Sequence, residues 1–441
     1  MFKPAALLLV FSCSVFAVEP CRIEIVDKQN GWPVPLVELK TVHDSIHVSD
    51  NLGLVAIDDP DLLDREVFFH VKGHGYGLQK DGFGFEEVRT TLKAGGKFRI
   101  ELERRNLAKR LGRLTGAGLF AEGQKLGIAP LLPESGVFGC DTVLTATVGD
   151  KIFSLWGDTM LPGYPLGIYH SSAATTPLQP LKKFEPPIAM PYTLFRDKEG
   201  KPRGVAKLPG DGPTWLGAMV SFPNKQLGAT WSKIRNHVEE YEVGICTWDV
   251  KTQNFVSEKT LWKIADGHKP LLLRGHPVRW QDKDGKKWLL FGDPFPEARC
   301  PDDFESWKNP STWEKVEKAA APKSANGEEI KPHRGAIAWS EYKKRWVTIF
   351  TQQWGKPSAL GEIWYAEAES PLGPWQKTTK VLTHDNYTFY NPRIQFDMMP
   401  EKAPFILFEG TYTAEFADHA VKTPRYNYNQ VLYRLDLDDV K

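Results

Sequence analysis

Apolar and polar residues alternate along most of this chain in short runs, with the period of a strand and almost none of the period of a helix. The runs Arg22 to Val26, Pro35 to Thr41, Gly53 to Ile57, Val67 to Val71 and Lys97 to Leu102 are separated by Asn-Gly, Asp-Asn and Gly-Gly turns. Short strands with such turns predict a small β-sandwich over residues 21–105. Leu107 to Gly118 then reads as the connection to the rest of the chain.

Beyond Gly118 the pattern repeats. Gly139-Cys140-Asp141-Thr142-Val143 leads through a turn at Gly149-Asp150 to Leu155-Trp156-Gly157-Asp158, and Arg274-Gly275-His276-Pro277-Val278 leads through a turn at Asp284-Gly285 to Leu290-Phe291-Gly292-Asp293. Both read as a hairpin whose second strand ends in aromatic-Gly-Asp. Three looser copies follow the same plan. Trp215 to Phe222 opens one, with Tyr241 to Val250 as a later strand; His333 to Ser340 pairs with Arg345 to Gln352; Asn391 to Phe396 pairs with Phe405 to Glu409, and Gln430 to Leu437 closes the set. Five units of about four strands predict an all-β fold, a five-bladed β-propeller over residues 118–439 behind the sandwich. The polar stretch Lys315 to Glu329 reads as a surface loop with a short helix.

Composition narrows the partners. A chain of 441 residues with 41% hydrophobic and 25% charged residues can bury a core in two or three domains. Its 56 basic and 55 acidic residues leave a net charge of +1, which supplies no excess for holding nucleic acid or an anionic membrane. Lys3, the apolar run Ala5 to Phe16 and the small residues around Ala17 predict a signal peptide over residues 1–17 and a secreted or periplasmic protein. That run is shorter than the ~20 residues of a membrane span. Cys13 as a lipid attachment site is the less favoured alternative, because Phe11 is bulky for that motif. Cys21, Cys140, Cys246 and Cys300 have no metal-type spacing; neither metal nor cofactor is expected, and a disulfide stays open.

The hairpins carry the candidate chemistry. With Gly149 and Asp150 as a two-residue loop, Val148 pairs with Lys151, and the same register sets Asp141 opposite Asp158. Opposed residues on one face have Cβ atoms about 4.5–5.5 Å apart, so two carboxylates there repel unless a site uses one as an acid and the other as a base. The competing reading, of equal weight, makes each Asp a cap for a turn. In the second hairpin a loop of Asp284 and Gly285 sets His276 opposite Asp293, which suits either substrate binding or a bridge between two strands. In a propeller the same end of every inner hairpin converges on one face, which brings His333, Arg334, Asn391, Arg393 and Glu409 toward these pairs. Carboxylates, cations and amides without a Ser–His–Asp order favour acid–base chemistry on a polar neutral substrate. The aromatics around Trp354, Trp364, Tyr365, Tyr387, Phe389 and Tyr390 can stack on sugar rings, although most aromatics pack cores.

Two family likenesses accompany this reading. Asn30-Gly31-Trp32-Pro33-Val34-Pro35 with Ser49-Asp50-Asn51-Leu52-Gly53 resembles carboxypeptidase-regulatory-like domains, which implies an accessory module. Gly139-Cys140-Asp141-Thr142 through Phe153-Ser154-Leu155-Trp156-Gly157-Asp158-Thr159 resembles the opening blade of the endo-D-arabinanase-like five-bladed propellers. That likeness implies catalytic roles for Asp141 and Asp158, and the analogy with propeller glycosidases makes Asp141 the base, Asp158 an acid or pKa modulator and Glu409 a candidate acid. His276, Asp293, His333, Arg334, Asn391 and Arg393 are then the expected substrate-binding residues. The expectation is a secreted glycoside hydrolase acting on a polysaccharide or oligosaccharide. Its rival is a non-catalytic carbohydrate-binding or cell-surface propeller.

Overall fold

The computed structural model describes residues 18–129, 135–236, 238–356, 358–418 and 420–440. The expected signal segment, Cys13 included, lies outside them. The described chain is almost all β. Its two α-helices, Ala121–Lys125 and Phe304–Lys308, are single turns, and no helix among the described residues is long and apolar enough to cross a membrane.

Residues 21–104 form two four-stranded sheets. In one, Cys21–Asp27 lies between Leu54–Ile57 and Lys97–Arg104, with Tyr76–Gly77 at the edge. In the other, Ile46–Val48, Glu38–Thr41, Arg65–Lys72 and Glu87–Leu92 follow one another. Alternation explains the pairing. Val67, Phe69 and Val71 point inward from one strand and meet Ile23, Ile25, Ile100 and Leu102 of the other sheet in one apolar cluster, while the intervening residues face outward.

Five four-stranded sheets follow, each with antiparallel neighbours. The first is Val143–Val148, Lys151–Trp156, Ser172–Pro177 and Thr193–Leu194. The second is Thr214–Ser221, Leu227–Arg235, Glu239–Asp249 and Asn254–Lys263. The third is Val278–Gln281, Lys287–Gly292, Pro296–Pro301 and Glu314–Lys315. The fourth is Pro332–Ser340, Arg345–Gln352, Glu362–Ala368 and Gln376–Thr383. The fifth takes Thr388–Ile394, Phe405–Thr413 and Asn429–Asp436 from the end of the chain, and its outer strand, Lys109–Arg113, from well before the first sheet. The stretch expected as a connection is therefore a strand. Leu111, buried against Leu407 and Leu432, supplies the apolar reason.

Five apolar clusters join these sheets in succession. Leu144, Phe153 and Leu155 of the first pack on Met219, Ala229 and Trp231 of the second, and Ile245 of the second on Leu289 and Phe291 of the third. Val278 and Trp280 of the third meet Ile337 and Phe350 of the fourth, and Ile349 and Tyr365 of the fourth meet Phe389 and Phe408 of the fifth. Ile152 of the first sheet closes the cycle by joining Leu111, Leu407 and Leu432 of the fifth. A second correction concerns Lys315 to Glu329, which holds no helix. The helix Phe304–Lys308 and a 3-10 turn, Pro310–Thr312, precede it, where Asp303 caps the chain by accepting from Ser306 N–H.

Candidate functional site

In these antiparallel sheets the start of the first strand and the end of the second lie at one edge. Regular pairing of the first strand breaks at that edge or a few residues inside it in four of the five sheets: between Cys140 and Val143, Gly217 and Val220, Pro332 and Gly335, and Tyr390 and Arg393. Thr142, Ala218 and Asn391 at three of these breaks have left-handed φ of 26°, 43° and 53°, which β-branched Thr142 in particular resists. Such breaks re-aim side chains. Asp141, Thr142, Leu216, His333, Arg334, Tyr390 and Asn391 thereby line a cavity of about 560 Å³, whose rim is built by the ends of second strands, among them Asp158, Trp354, Glu415 and Phe416. A second cavity, of about 870 Å³, adjoins it across Trp215, Val238, His333 and Arg334.

The first hairpin forms in its expected register. Val148 pairs with Lys151, Val143 with Trp156, and beyond the break Cys140 still pairs with Thr159. Asp141 N–H donates to Asp158 O (2.9 Å), so the two carboxylates share one end of the hairpin. Asp141 is fixed by donors: the Tyr390 hydroxyl and the Thr142 hydroxyl both reach its Oδ1 at 2.6 Å, and Asn391 Nδ2 holds the Thr142 hydroxyl at 2.6 Å. Asp158 is in a different state. Burial, and then the negative charge of Asp141, push its carboxyl up to about 6, against a hydrogen bond from the Trp215 side chain. Its Oδ1 is buried without a partner. One carboxyl oriented by donors beside another biased to keep its proton is the arrangement acid–base chemistry needs.

The second hairpin departs from expectation by one residue. Gln281 pairs with Lys287 and Val278 with Leu290, so His276 N–H donates to Gly292 O (3.1 Å) and His276 does not face Asp293. The cause is local. Asp282 Oδ1 accepts from Asp284 N–H and Lys286 N–H at 3.0 and 2.9 Å, and Gly285 takes a left-handed φ of 81°, which makes a three-residue loop where two were expected. Asp293 instead accepts from Gly335 N–H (2.9 Å), with Arg334 at 3.7 Å.

The remaining expected residues divide. His333, Arg334 and Asn391 line the cavity of the Asp pair, and Asp293 lines the adjoining one. His276, Arg393 and Glu409 are buried and line neither. Arg393 donates to Thr145 Oγ1 (2.8 Å) and Thr145 O (2.9 Å) and meets His276 Nδ1 at 2.7 Å, so this cluster ties the first strands of the fifth and first sheets to the segment entering the third. Glu409 pairs in register with Arg393 and accepts from the Gln395 amide. Burial raises its carboxyl to about 8, against the Arg393 charge. The third carboxylate in the cavity is Glu415, raised by burial and then by Asp141. It sits in a loop outside the repeat, so hairpin register offered no signal for it. Of the aromatics singled out, Tyr365, Tyr387 and Phe389 are core, whereas Trp354 stands open in the cavity. Cys21, Cys140, Cys246 and Cys300 are buried and free, and no group of three or more His, Cys, Asp or Glu among the described residues is arranged to hold a metal.

No protein-family model and no curated protein matches this sequence. Among solved structures, an exo-1,5-alpha-L-arabinanase from a bovine ruminal metagenomic library is similar with a TM-score of 0.40 at 12% identity, over 69% of this chain and 95% of that one. A thermostable family-43 glycoside hydrolase gives 0.38 at 12%, over 69% and 90%. The Bacillus subtilis arabinanase gives 0.35 at 12%, over 67% and 96%. Likeness at this level decides neither fold nor reaction.

Proposed function

We propose that the chain is a secreted glycoside hydrolase, a five-bladed β-propeller over residues 118–439 whose fifth blade is completed by the strand Lys109–Arg113, carrying an accessory β-sandwich over residues 21–105 and exported by the segment 1–17. The observation that carries this reading is the pair itself: Asp141, held by Tyr390 and Thr142, beside Asp158, whose carboxyl is raised to about 6, at the wall of an open cavity. Asp158 gives its proton to the glycosidic oxygen as that bond breaks. Asp141 either takes a proton from water attacking the anomeric carbon or attacks that carbon itself, and the departing alcohol leaves protonated; in the second case water then cleaves the glycosyl ester on Asp141 and returns a proton to Asp158. Glu409, lining neither cavity, has no part in this scheme.

Replacing Asp158 with Asn keeps its shape and removes the proton. Turnover on a panel of polysaccharides should fall by the ~10²–10⁴-fold typical of losing a general acid. Activity of the unaltered protein should decline as pH rises through about 6, where Asp158 ionises. Because the folded state raises this carboxyl from 3.8 to about 6, its contribution to stability is fully present below the ordinary value, falls as pH rises between the two, and stays lost above about pH 6. Asp158→Asn should therefore raise Tm at pH 8 and change it less at pH 5. An active, destabilised Asp158→Asn protein would refute the assignment, and saccharide binding without turnover by the unaltered protein would favour a non-catalytic binder.

A further inference from the structure

Two aromatic side chains at the rim of the same cavity have no role in the scheme above. Trp354 and Phe416 are 68% and 63% exposed, yet both line the cavity of the Asp pair. Each follows the second strand of its sheet, Arg345–Gln352 in the fourth and Phe405–Thr413 in the fifth, so they occupy the same place in adjacent sheets. Their φ angles are 56° and 59°, in the left-handed region that bulky residues avoid. A large ring kept in solvent on unfavourable backbone gains nothing for the core, and such conformations collect at ligand sites. Phe416 also stands edge-on to Tyr390, with ring centroids 5.9 Å apart at 79°, and Tyr390 is the donor that fixes Asp141. The rim and the reacting carboxylate are therefore in mechanical contact.

We infer that Trp354 and Phe416 are the stacking platform that seats an uncharged sugar ring beside Asp141 and Asp158, and that the site selects neutral over acidic saccharides. This rests on the carbohydrate reading of the cavity. A sugar ring has an apolar C–H face and a polar hydroxyl edge; an aromatic ring takes the first, and amides and hydroxyls such as those of Gln353, Asn391 and Tyr428 take the second. The charge selection follows from the lining. Asp141 and Glu415 supply two carboxylates, and Asp158 a third once it ionises, against one cation, Arg334, which already lies 3.7 Å from Asp293. A uronate brought into that cavity meets like charge in a partly desolvated space.

The test is binding to the Asp158→Asn protein, which separates recognition from turnover. Calorimetry would use neutral arabino-, galacto-, xylo- and gluco-oligosaccharides and, as the acidic probe, an oligogalacturonate. At least one neutral oligosaccharide should bind more tightly than the oligogalacturonate. In the same background Trp354→Ala and Phe416→Ala should each weaken it by roughly 10- to 100-fold, the worth of one buried stacked aromatic. Trp354→Phe and Phe416→Tyr should restore most of that affinity. Trp339→Ala, at an exposed Trp outside this cavity, should leave it unchanged. Unchanged affinity in both Ala variants, preference for the oligogalacturonate, or no binding of any neutral oligosaccharide would overturn the inference. Binding that depends on Trp354 and Phe416 in a protein with no hydrolytic activity would uphold it and sink the hydrolase.

Discussion

The hairpins at Asp141 and at His276 share a plan, a strand, a tight turn and an ending in aromatic-Gly-Asp, and they end in different chemistry. In the first, Gly149 adopts a φ of 65°, the two-residue loop closes, and two carboxylates arrive together at the cavity. In the second, the side chain of Asp282 gathers two backbone N–H groups and the Trp288 indole, the loop grows to three residues, and the register moves by one. His276 then lies under Arg393, while Asp293 is spent on Gly335 N–H. A single turn residue thus separates a hairpin that brings two carboxylates to the cavity from one that braces neighbouring sheets. Because side chains alternate faces along a strand, one residue of slip changes what every side chain meets.

This contrast can be broken by experiment. The largest expected effect is at the first hairpin: the Asp141→Asn/Asp158→Asn double variant should lose hardly more turnover than the worse single, because the two act as one unit. Additive losses measured on a cleaved oligosaccharide would mean separate jobs. A smaller effect belongs to the second hairpin, where His276→Ala leaves a buried guanidinium N–H of Arg393 unpaired. Denaturant unfolding should show a loss of about 1–3 kcal/mol, with saccharide affinity of the folded protein unchanged; lost affinity at unaltered stability would return His276 to the binding site. The smallest concerns the turn itself. Asp282→Ala removes three accepted hydrogen bonds from an exposed loop and should lower the denaturant midpoint less than His276→Ala does, with no change in turnover. Stability equal to the unaltered protein would show that Gly285, not Asp282, sets the loop.

Much of the local structure was legible. Strand alternation and turn residues placed the first hairpin to the residue and the fourth and fifth to within a few, because both signals act between near neighbours. What sequence hid depends on contacts between distant segments. Lys109–Arg113 looked like a connection because its partner strand, Asn429–Asp436, lies some three hundred residues further on. Glu409 looked like an acid at a strand end, yet packing places it wholly inside, while Glu415, six residues later in an irregular loop, reaches the cavity.

By itself, then, the sequence determined an almost all-β chain of short, mostly antiparallel strands and the opposition of Asp141 to Asp158, since period-two burial and a Gly-Asp turn fix register without outside help. The tertiary structure alone decided which carboxylates face solvent, that Tyr390 from the fifth sheet steadies Asp141 of the first, and that Arg393 reaches Thr145 and His276. Those outcomes depend on packing sheets into a closed cycle. Burial raises a carboxyl or orients a ring only after segments far apart in the chain have been brought together.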